Sequence, residues 1–238
     1  MKNTDIAIKL TNVSKKYIVR HEKPTLVEKL INGKKEEFWA LKDINLEIKR
    51  GEKIGIIGPN GSGKTTLLKL ITGISSPTSG TIERNGEIIS LIDLEAGFHP
   101  DLTGIQNIYL NGMIIGMNKT EINSKLKKII DYADIGRFID VPLFTYSEGM
   151  KFRLGFSVAV NSDPDILILD EGFGAVDEHF RMKALKKIQN IFKGDGTIMI
   201  STHYMDFLRK NCRTVVWLDK GVIKITGNVL NVINRYSK

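Results

Sequence analysis

The sequence predicts an α/β fold built on a mainly parallel core sheet with helices on both faces. Three observations predict it. Strand-length runs DILILD (165–170), TIMIST (197–202) and TVVWLD (214–219) are nearly continuous in apolar residues, and helical stretches separate them. Such strands are buried on both faces, as parallel strands covered by helices are. A glycine-rich loop, GPNGSGKTT (58–66), sits between the strand-like KIGIIG and the helix-like TLLKLITG. The middle of the chain, roughly 102–162, reads as mostly helical.

Taken in order, IAIKL (6–10) and INLEIKRGEKIGIIG (44–58) are β-rich. The polar stretch RHEKPTLVEKLINGKKEEFW (20–39) breaks that pattern and reads as an insertion between strands, with one or two helical turns. TLLKLITG has apolar residues at helical spacing and Gly73 as its stop. SPTSG is a turn. GTIERNGEIISLI (80–92) reads as a hairpin with Asn85-Gly86 as its tight turn. TEINSKLKKIIDYADI (120–135) is an amphipathic helix with Thr120 as its N-cap. SEGMKFRLGFSVAV (147–160) places Phe152, Phe156, Ala159 and Val160 on one face, and Asp163-Pro164 ends it. There is no internal repeat and no low-complexity segment.

Composition narrows the function classes. The 238 residues are 42% hydrophobic and 26% charged, ordinary values for a globular chain with one sizeable core. No apolar run approaches the ~18 residues that span a bilayer. MKNTDIAIKL lacks the apolar core of a signal peptide, so a cytoplasmic location is expected. The single cysteine, Cys212, excludes an intrachain disulfide and reads as a small core residue, since RKNCRTVVW offers no base to activate it. The net charge of +8 suggests an anionic partner: nucleotide, nucleic acid or anionic lipid headgroups. The charges are scattered, however, and those of 20–37 alternate with Glu22, Glu28, Glu36 and Glu37, as on a solvated surface.

The loop carries the chemistry. Gly58, Pro59, Asn60, Gly61, Ser62, Gly63, Lys64 and Thr65, followed by Thr66, fit G-x-x-x-x-G-K-[ST] in full, between a strand and a helix. The glycines let the backbone curl so that successive N–H groups point inward, and the helix adds its positive end. A polyphosphate fits that nest. Lys64 would reach the β- and γ-phosphates, and the Thr65 hydroxyl would ligate Mg²⁺. Downstream, the buried run Ile166 to Leu169 ends in Asp170, at the strand end where α/β proteins bind ligands. Asp170 would hold Mg²⁺, directly or through water. Glu171 would act as general base for a water attacking the γ-phosphate.

TYSEGMKFRLGFSVAVNSDPDILILDE (145–171) resembles the ATPase subunit of ABC transporters. The signature of that family, L-S-G-G-Q, stands here as Tyr146, Ser147, Glu148, Gly149 and Met150; Ser147 and Gly149 match and the other three depart. GAVD (174–177) resembles the D-loop, ISTHYMD the switch region with His203, and VSKKY the segment whose aromatic, here Tyr17, stacks on adenine. Phe38 and Trp39 are rival stackers. The resemblance covers nearly the whole chain. It implies the P-loop NTPase fold of ABC ATPases, with an N-terminal antiparallel β subdomain and a helical subdomain at about 94–163, all within one ATP-binding domain of residues 1–238. It also implies a homodimer that sandwiches two ATP molecules. Ser147 and Gly149 of each copy would face the γ-phosphate held by the other, and Asp177 would contact the partner copy's nucleotide loop. His203 would bond the γ-phosphate or the attacking water. The family's glutamine at the junction of sheet and helical subdomain has no counterpart in SLIDLEAGFHPDLTGIQNI; Asp93, Leu94 and Glu95 stand there.

The 20–39 insertion ending in FWALKDINLEI, the string AGFHPDLTGIQNIYLNG and YSEGMKFRLGFSVAV resemble one branch, the exporters of bacterial surface polysaccharides: O-antigen, capsule and teichoic acid. That implies two copies of a separate polytopic membrane permease, a lipid-linked glycan as cargo, a place on the cytoplasmic face of the inner membrane, and no nucleic acid partner. The C-terminal carbohydrate-binding domain of some members is not expected, because the sequence stops at NVINRYSK. The alternatives are an ABC exporter of lipid or drug, a soluble ABC ATPase acting on nucleic acid, and a P-loop kinase. The kinase would not need Ser147, Asp177 or His203. The nucleic-acid types insert long coiled coils or fuse two ATPase units, and this chain does neither.

Overall fold

The computed structural model describes residues 5–20, 35–92, 94–95, 97–170 and 177–237. In chain order the elements are β1 (Ile6–Arg20), β2 (Lys35–Lys49), β3 (Lys53–Ile57), α1 (Lys64–Thr72), β4 (Ser79–Arg84) and β5 (Ile88–Ser90). Then come α2 (Gly104–Ile114), α3 (Lys119–Ala133), two short 3₁₀ turns (Gly136–Asp140 and Leu143–Thr145) and α4 (Glu148–Asn161). The last part holds β6 (Ile166–Leu169), α5 (Glu178–Lys193), β7 (Thr197–Ser201), α6 (Met205–Asn211), β8 (Thr214–Asp219), β9 (Val222–Asn228) and α7 (Val229–Tyr236). The chain divides into two compact units, one of Met1–Lys49, Ile54–Asn85 and Tyr204–Lys238, the other of Arg50–Lys53 and Gly86–His203.

In the first unit, β1 pairs antiparallel with both β2 and β4, which gives an antiparallel sheet in the order β2-β1-β4. β3 runs parallel to β8, and β9 closes antiparallel on β8. β3 is buried over Ile54 to Ile57, as its unbroken apolar run requires. A side chain on Gly55 would meet Leu208 and Val215, so the glycine lets α6 lie close on β3. Gly73 ends α1 at φ 82°, the left-handed stop expected of it. Cys212 is buried, and burial pushes its thiol up to about 12; it is the small core residue expected.

In the second unit, β5, β6 and β7 form a fully parallel set. β6 and β7 are buried at every position. Helices α2, α3 and α4 pack around a core of Ile108, Ile122, Ile129, Ala133, Leu154 and Val158. Phe156 stacks between Phe152 and Tyr132, and Phe180 meets all three rings edge-on. α4 ends at Asn161 with Ser162 as its C-cap, and Asp163 takes φ 60° before Pro164.

Three local expectations fail. GTIERNGEIISLI is not a hairpin. β4 pairs with β1 in the first unit, whereas β5 pairs in parallel with β6 in the second. Asn85 is held by Ile6 and Ala7 carbonyls, and the Glu87 N–H donates to Asp165. Asn85-Gly86 is therefore the crossing point where the chain leaves one sheet for another; the apolar Ile88-Ile89 gains a buried parallel neighbour in ILIL. The N-cap of α3 is Asn118, not Thr120. Asn118 Oδ1 accepts from the Glu121 N–H at 3.0 Å and the Glu121 carboxylate accepts from the Asn118 N–H at 2.8 Å. A two-way capping box outcompetes a lone threonine. The 20–39 insertion is also shorter than expected: Arg20 belongs to β1 and Lys35 to Trp39 belong to β2, paired across Ile18↔Glu37 and Tyr17↔Phe38. Residues 21–34, with the helical turns expected there, lie outside the described residues.

Candidate functional site

The nucleotide loop is built from backbone shape. Gly58, Gly61 and Gly63 all take positive φ, at 152°, 76° and 105°. A Cβ on Gly58 would overlap the Leu218 carbonyl and come within 2.8 Å of Ser62 Oγ, and one on Gly63 would lie 2.7 Å from the Ala40 carbonyl. Glycine is thus required at both positions for space as well as for conformation. The loop is tied down through its backbone: Ser62 N–H to Pro59 O at 3.2 Å, Gly221 N–H to Ser62 O at 3.0 Å, and Leu67 N–H to Gly63 O at 2.8 Å. Gly63 caps α1 without any side-chain hydrogen bond. The amides of Lys64, Thr65 and Thr66 head a helix and have no carbonyl one turn earlier within it. Pro59, Asn60 and Gly61 are exposed. Lys64 Nζ folds over the loop and donates to Gly58 O at 2.8 Å and Pro59 O at 3.0 Å. Ser62 Oγ is buried with no hydrogen-bond partner among the described residues, although a buried hydroxyl normally has one. An electropositive mouth, a short cation across it and an orphaned hydroxyl beneath suit a polyphosphate.

Tyr17, 39% exposed, lies opposite Phe38, which is 52% exposed. Trp39 pairs instead with Lys16, so it faces the other side of the sheet from Tyr17 and Phe38. Lys15 Nζ sits 5.2 Å from the Tyr17 ring centre, and Lys16 Nζ sits 5.4 Å from that of Trp39.

In the second unit, Asp170 stands half-buried immediately after β6. Its carboxylate and the exposed Thr65 hydroxyl of the first unit are hard oxygen donors of the type Mg²⁺ prefers. His203 follows β7 by two residues and is exposed. Glu171, Asp93 and residues 174–176 of the GAVD stretch lie outside the described residues. Ser147 is the N-cap of α4: its Oγ accepts from the Met150 N–H at 3.2 Å. Asp177 is the N-cap of α5 and accepts from the Phe180 N–H at 2.8 Å. That amide, helped by Arg153, holds the Asp177 carboxyl below its usual range.

Sequence reasoning placed Leu94 at the junction but missed Arg153 and Lys151 as organising residues. Arg153 Nη1 lies 3.7 Å from Asp177, Nη2 lies 3.6 Å from Asp134, and Nε donates to Ala133 O at 2.9 Å. One guanidinium thereby joins the end of α3, α4 and the cap of α5. Lys151 pairs with Glu148 at 2.7 Å, which keeps the Glu148 carboxyl below its usual range; Glu95 adds to the field that holds Lys151 protonated. The Leu94 carbonyl sits where a side chain on residue 155 would be, so Gly155 lets this junction pack on α4. Glu95 and Leu94 are both tied to the signature helix. The only sequence hint was a basic residue at each of the positions 151 and 153.

Among the described residues no helix is long and apolar enough to cross a membrane, and no group of three or more His, Cys, Asp and Glu side chains could hold a metal ion.

The model of the ABC transporter family matches residues 41–174. The O-antigen export system ATP-binding protein RfbB of Myxococcus xanthus is 44% identical over 230 residues, which cover 93% of this chain and 53% of that protein; the chain thus spans about half the length of this relative. The teichoic acids export ATP-binding protein TagH of Staphylococcus haemolyticus is 37% identical over 235 residues, 98% of this chain and 89% of that one. A dimeric post-hydrolysis ATP-binding cassette bound to ADP and Pi shares the fold with a TM-score of 0.72 at 23% identity, over 93% of this chain and 98% of that one.

Proposed function

The chain belongs to the ABC transporter ATPase family, and from that premise we propose that it is the ATP-hydrolysing subunit of an exporter for a lipid-linked bacterial surface polysaccharide. The observation that carries the nucleotide part is the loop heading α1, where three positive-φ glycines, the folded Lys64 and the orphaned Ser62 hydroxyl converge. The cargo part rests on likeness to proteins named for O-antigen and teichoic acid export.

In this reading Lys64 leaves the Gly58 and Pro59 carbonyls for the β- and γ-phosphates of ATP, as one point charge exchanging partners. Tyr17 stacks on the adenine, with Phe38 beside it on the same face. Thr65 and Asp170 would hold Mg²⁺, which would supply charge neutralisation at the phosphate oxygens. Glu171 takes the proton of the attacking water, and His203 orients that water against the γ-phosphate. Two copies pair across a twofold axis. Ser147 and Gly149 of each meet the γ-phosphate on the other, and Asp177 reaches the partner copy's nucleotide loop. ATP is then interfacial glue, and hydrolysis removes it. From the cytoplasmic face of the membrane the pair would pass its motion to two copies of a separate polytopic permease, which would carry the glycan.

The test is a Glu171→Gln variant. ATP should drive it into a long-lived dimer with hydrolysis down by at least ~100-fold, and cells carrying it should accumulate lipid-linked glycan inside. Lys64→Ala should lose nucleotide binding. A Glu171→Gln protein that stays monomeric at saturating ATP would contradict the sandwich; normal surface glycan in those cells would contradict the cargo.

A further inference from the structure

We infer that Tyr146 is a positioning residue for Ser147, its hydroxyl locked onto the Phe138 carbonyl through a space that Gly104 alone leaves open. The inference rests on the reading above, in which Ser147 meets the partner copy's γ-phosphate.

Tyr146 directly precedes the cap of α4 and stands where the family signature has leucine. It is 5% exposed and belongs to the core formed by α2, α3 and α4. Three contacts hold it. Its hydroxyl donates to Phe138 O, its backbone N–H donates to Leu143 O at 3.0 Å, and its ring meets that of Phe138 edge-on at 6.5 Å. Burial pushes the phenol up to about 12, with Asp140 adding to the shift, so it remains a protonated donor at any working pH. Gly104 opens α2. A Cβ there would collide with the Tyr146 hydroxyl and lie 2.9 Å from the Ile139 carbonyl. α2 is itself pinned by a capping box between Thr103 and Gln106. The glycine is thus a fixed wall, and the hydroxyl is clamped between it and the 3₁₀ turn.

Ser147 needs such an anchor. Its own cap bond is long, at 3.2 Å, and local to α4. It shapes the first turn but says nothing of where that turn points. The anion-facing groups are the Ser147 hydroxyl and the amides of Glu148 and Gly149, which no earlier carbonyl of the helix can satisfy. Aim matters for such a cluster, because a displacement of about 1 Å forfeits most of a phosphate contact. A leucine would fill the core equally well but could not pin residue 146 to Phe138. Phe138 O also accepts from the Val141 N–H at 3.1 Å, so removing the tyrosine hydroxyl leaves no orphaned carbonyl. The effect on aim is therefore separable from the effect on stability.

The experiment uses the full chain in a Glu171→Gln background. Dimerisation at saturating ATP is followed by sedimentation, ATP affinity is measured on dilute monomer, and Tm is recorded for each variant. Tyr146→Phe should weaken ATP-dependent dimerisation by about three- to tenfold, the equivalent of one lost hydrogen bond. Monomer ATP affinity should stay within about twofold, because the nucleotide loop is untouched. Gly104→Ala should act in the same direction and more strongly, and Ser147→Ala more strongly still. If Tyr146→Phe dimerises like its parent while Ser147→Ala does not, the anchor is wrong and the sandwich survives. If Ser147→Ala also dimerises like its parent, the sandwich reading falls and takes this inference with it. A Tyr146→Phe protein losing Tm and monomer ATP affinity in parallel would mark a general packing role and likewise overturn it.

Discussion

The N-termini of α1 and α4 are both assigned to phosphate, yet they are built in opposite ways. α1 begins on Gly63, in a left-handed conformation and with no side-chain cap. Its loop is shaped by backbone contacts to Leu218, Ala40 and Gly221, and three of its residues are glycines with positive φ. α4 begins on Ser147, in extended conformation, with a side-chain cap bond to Met150. Its surroundings are side chains: Tyr146 on Phe138, Lys151 on Glu148, Arg153 on Asp134 and Asp177. A nest that must wrap a polyphosphate dispenses with side chains, because only bare backbone comes close enough. Under the proposed function the start of α4 meets a group held by another molecule and needs direction, which the ties of Tyr146 and Arg153 would supply.

If this contrast is right, substitutions at the two helix starts fail differently. The largest effect is expected from Gly58→Ala, where the new methyl overlaps the Leu218 carbonyl. Strain of about 1–3 kcal/mol corresponds to a loss of ATP affinity of roughly 5- to 150-fold, read by nucleotide titration. Gly61→Ala sharpens the point: nothing lies within 4 Å of its added Cβ, so only the backbone cost of about 1–2 kcal/mol remains. Equal losses at the two positions would break the idea that close approach, rather than conformation alone, selects glycine at 58. Next comes Ser147→Ala, which removes the cap. It should cost about 1 kcal/mol of stability, a fall in Tm of about 2–4 °C for a chain of this size, with monomer ATP affinity unchanged. A loss of monomer affinity would erase the distinction between the two helix starts.

The smallest effect concerns Asp177→Asn. The folded chain holds this carboxyl below its ordinary value, first through the Phe180 amide and then through Arg153. A depressed carboxylate contributes stability above its unfolded pKa, about 4, and loses it as the pH falls through the folded value. Asparagine keeps a cap but no charge. The variant's Tm should lie below the parent's by less than about 2 °C at pH 7, given an exposed and screened group, and the gap should close in acid. A gap that persists after the pH has fallen below the folded value of the carboxyl would mean that the cap geometry, not the charge, was lost.

Legibility followed the range of the forces involved. The glycine loop, the Gly73 stop and the caps at Ser147 and Asp177 were readable because each depends on hydrogen bonds within a few residues. The Asn118 cap was readable too, from an asparagine three residues before Glu121, and Thr120 displaced it only by standing closer to the apolar pattern. The Asn85-Gly86 pair marked a break in the backbone correctly but misled on its purpose. A turn dipeptide states that a strand ends, not which strand the next one joins. The polar run Lys35-Glu36-Glu37 hid the start of β2, because its pairing is imposed by β1 rather than by β propensity.

By itself the sequence determined the α/β class, the glycine-rich loop before α1 and the capped starts of α4 and α5, since spacing along the chain is enough to specify a curled backbone or a capped turn. Only the tertiary structure decided that β4 and β5 part company, that Phe38 shares the face of Tyr17 while Trp39 does not, and that the Tyr146 hydroxyl reaches the Phe138 carbonyl beside Gly104. Those outcomes depend on register and on contacts between residues tens of positions apart, and a one-dimensional pattern carries no information about which distant neighbour fills a given space.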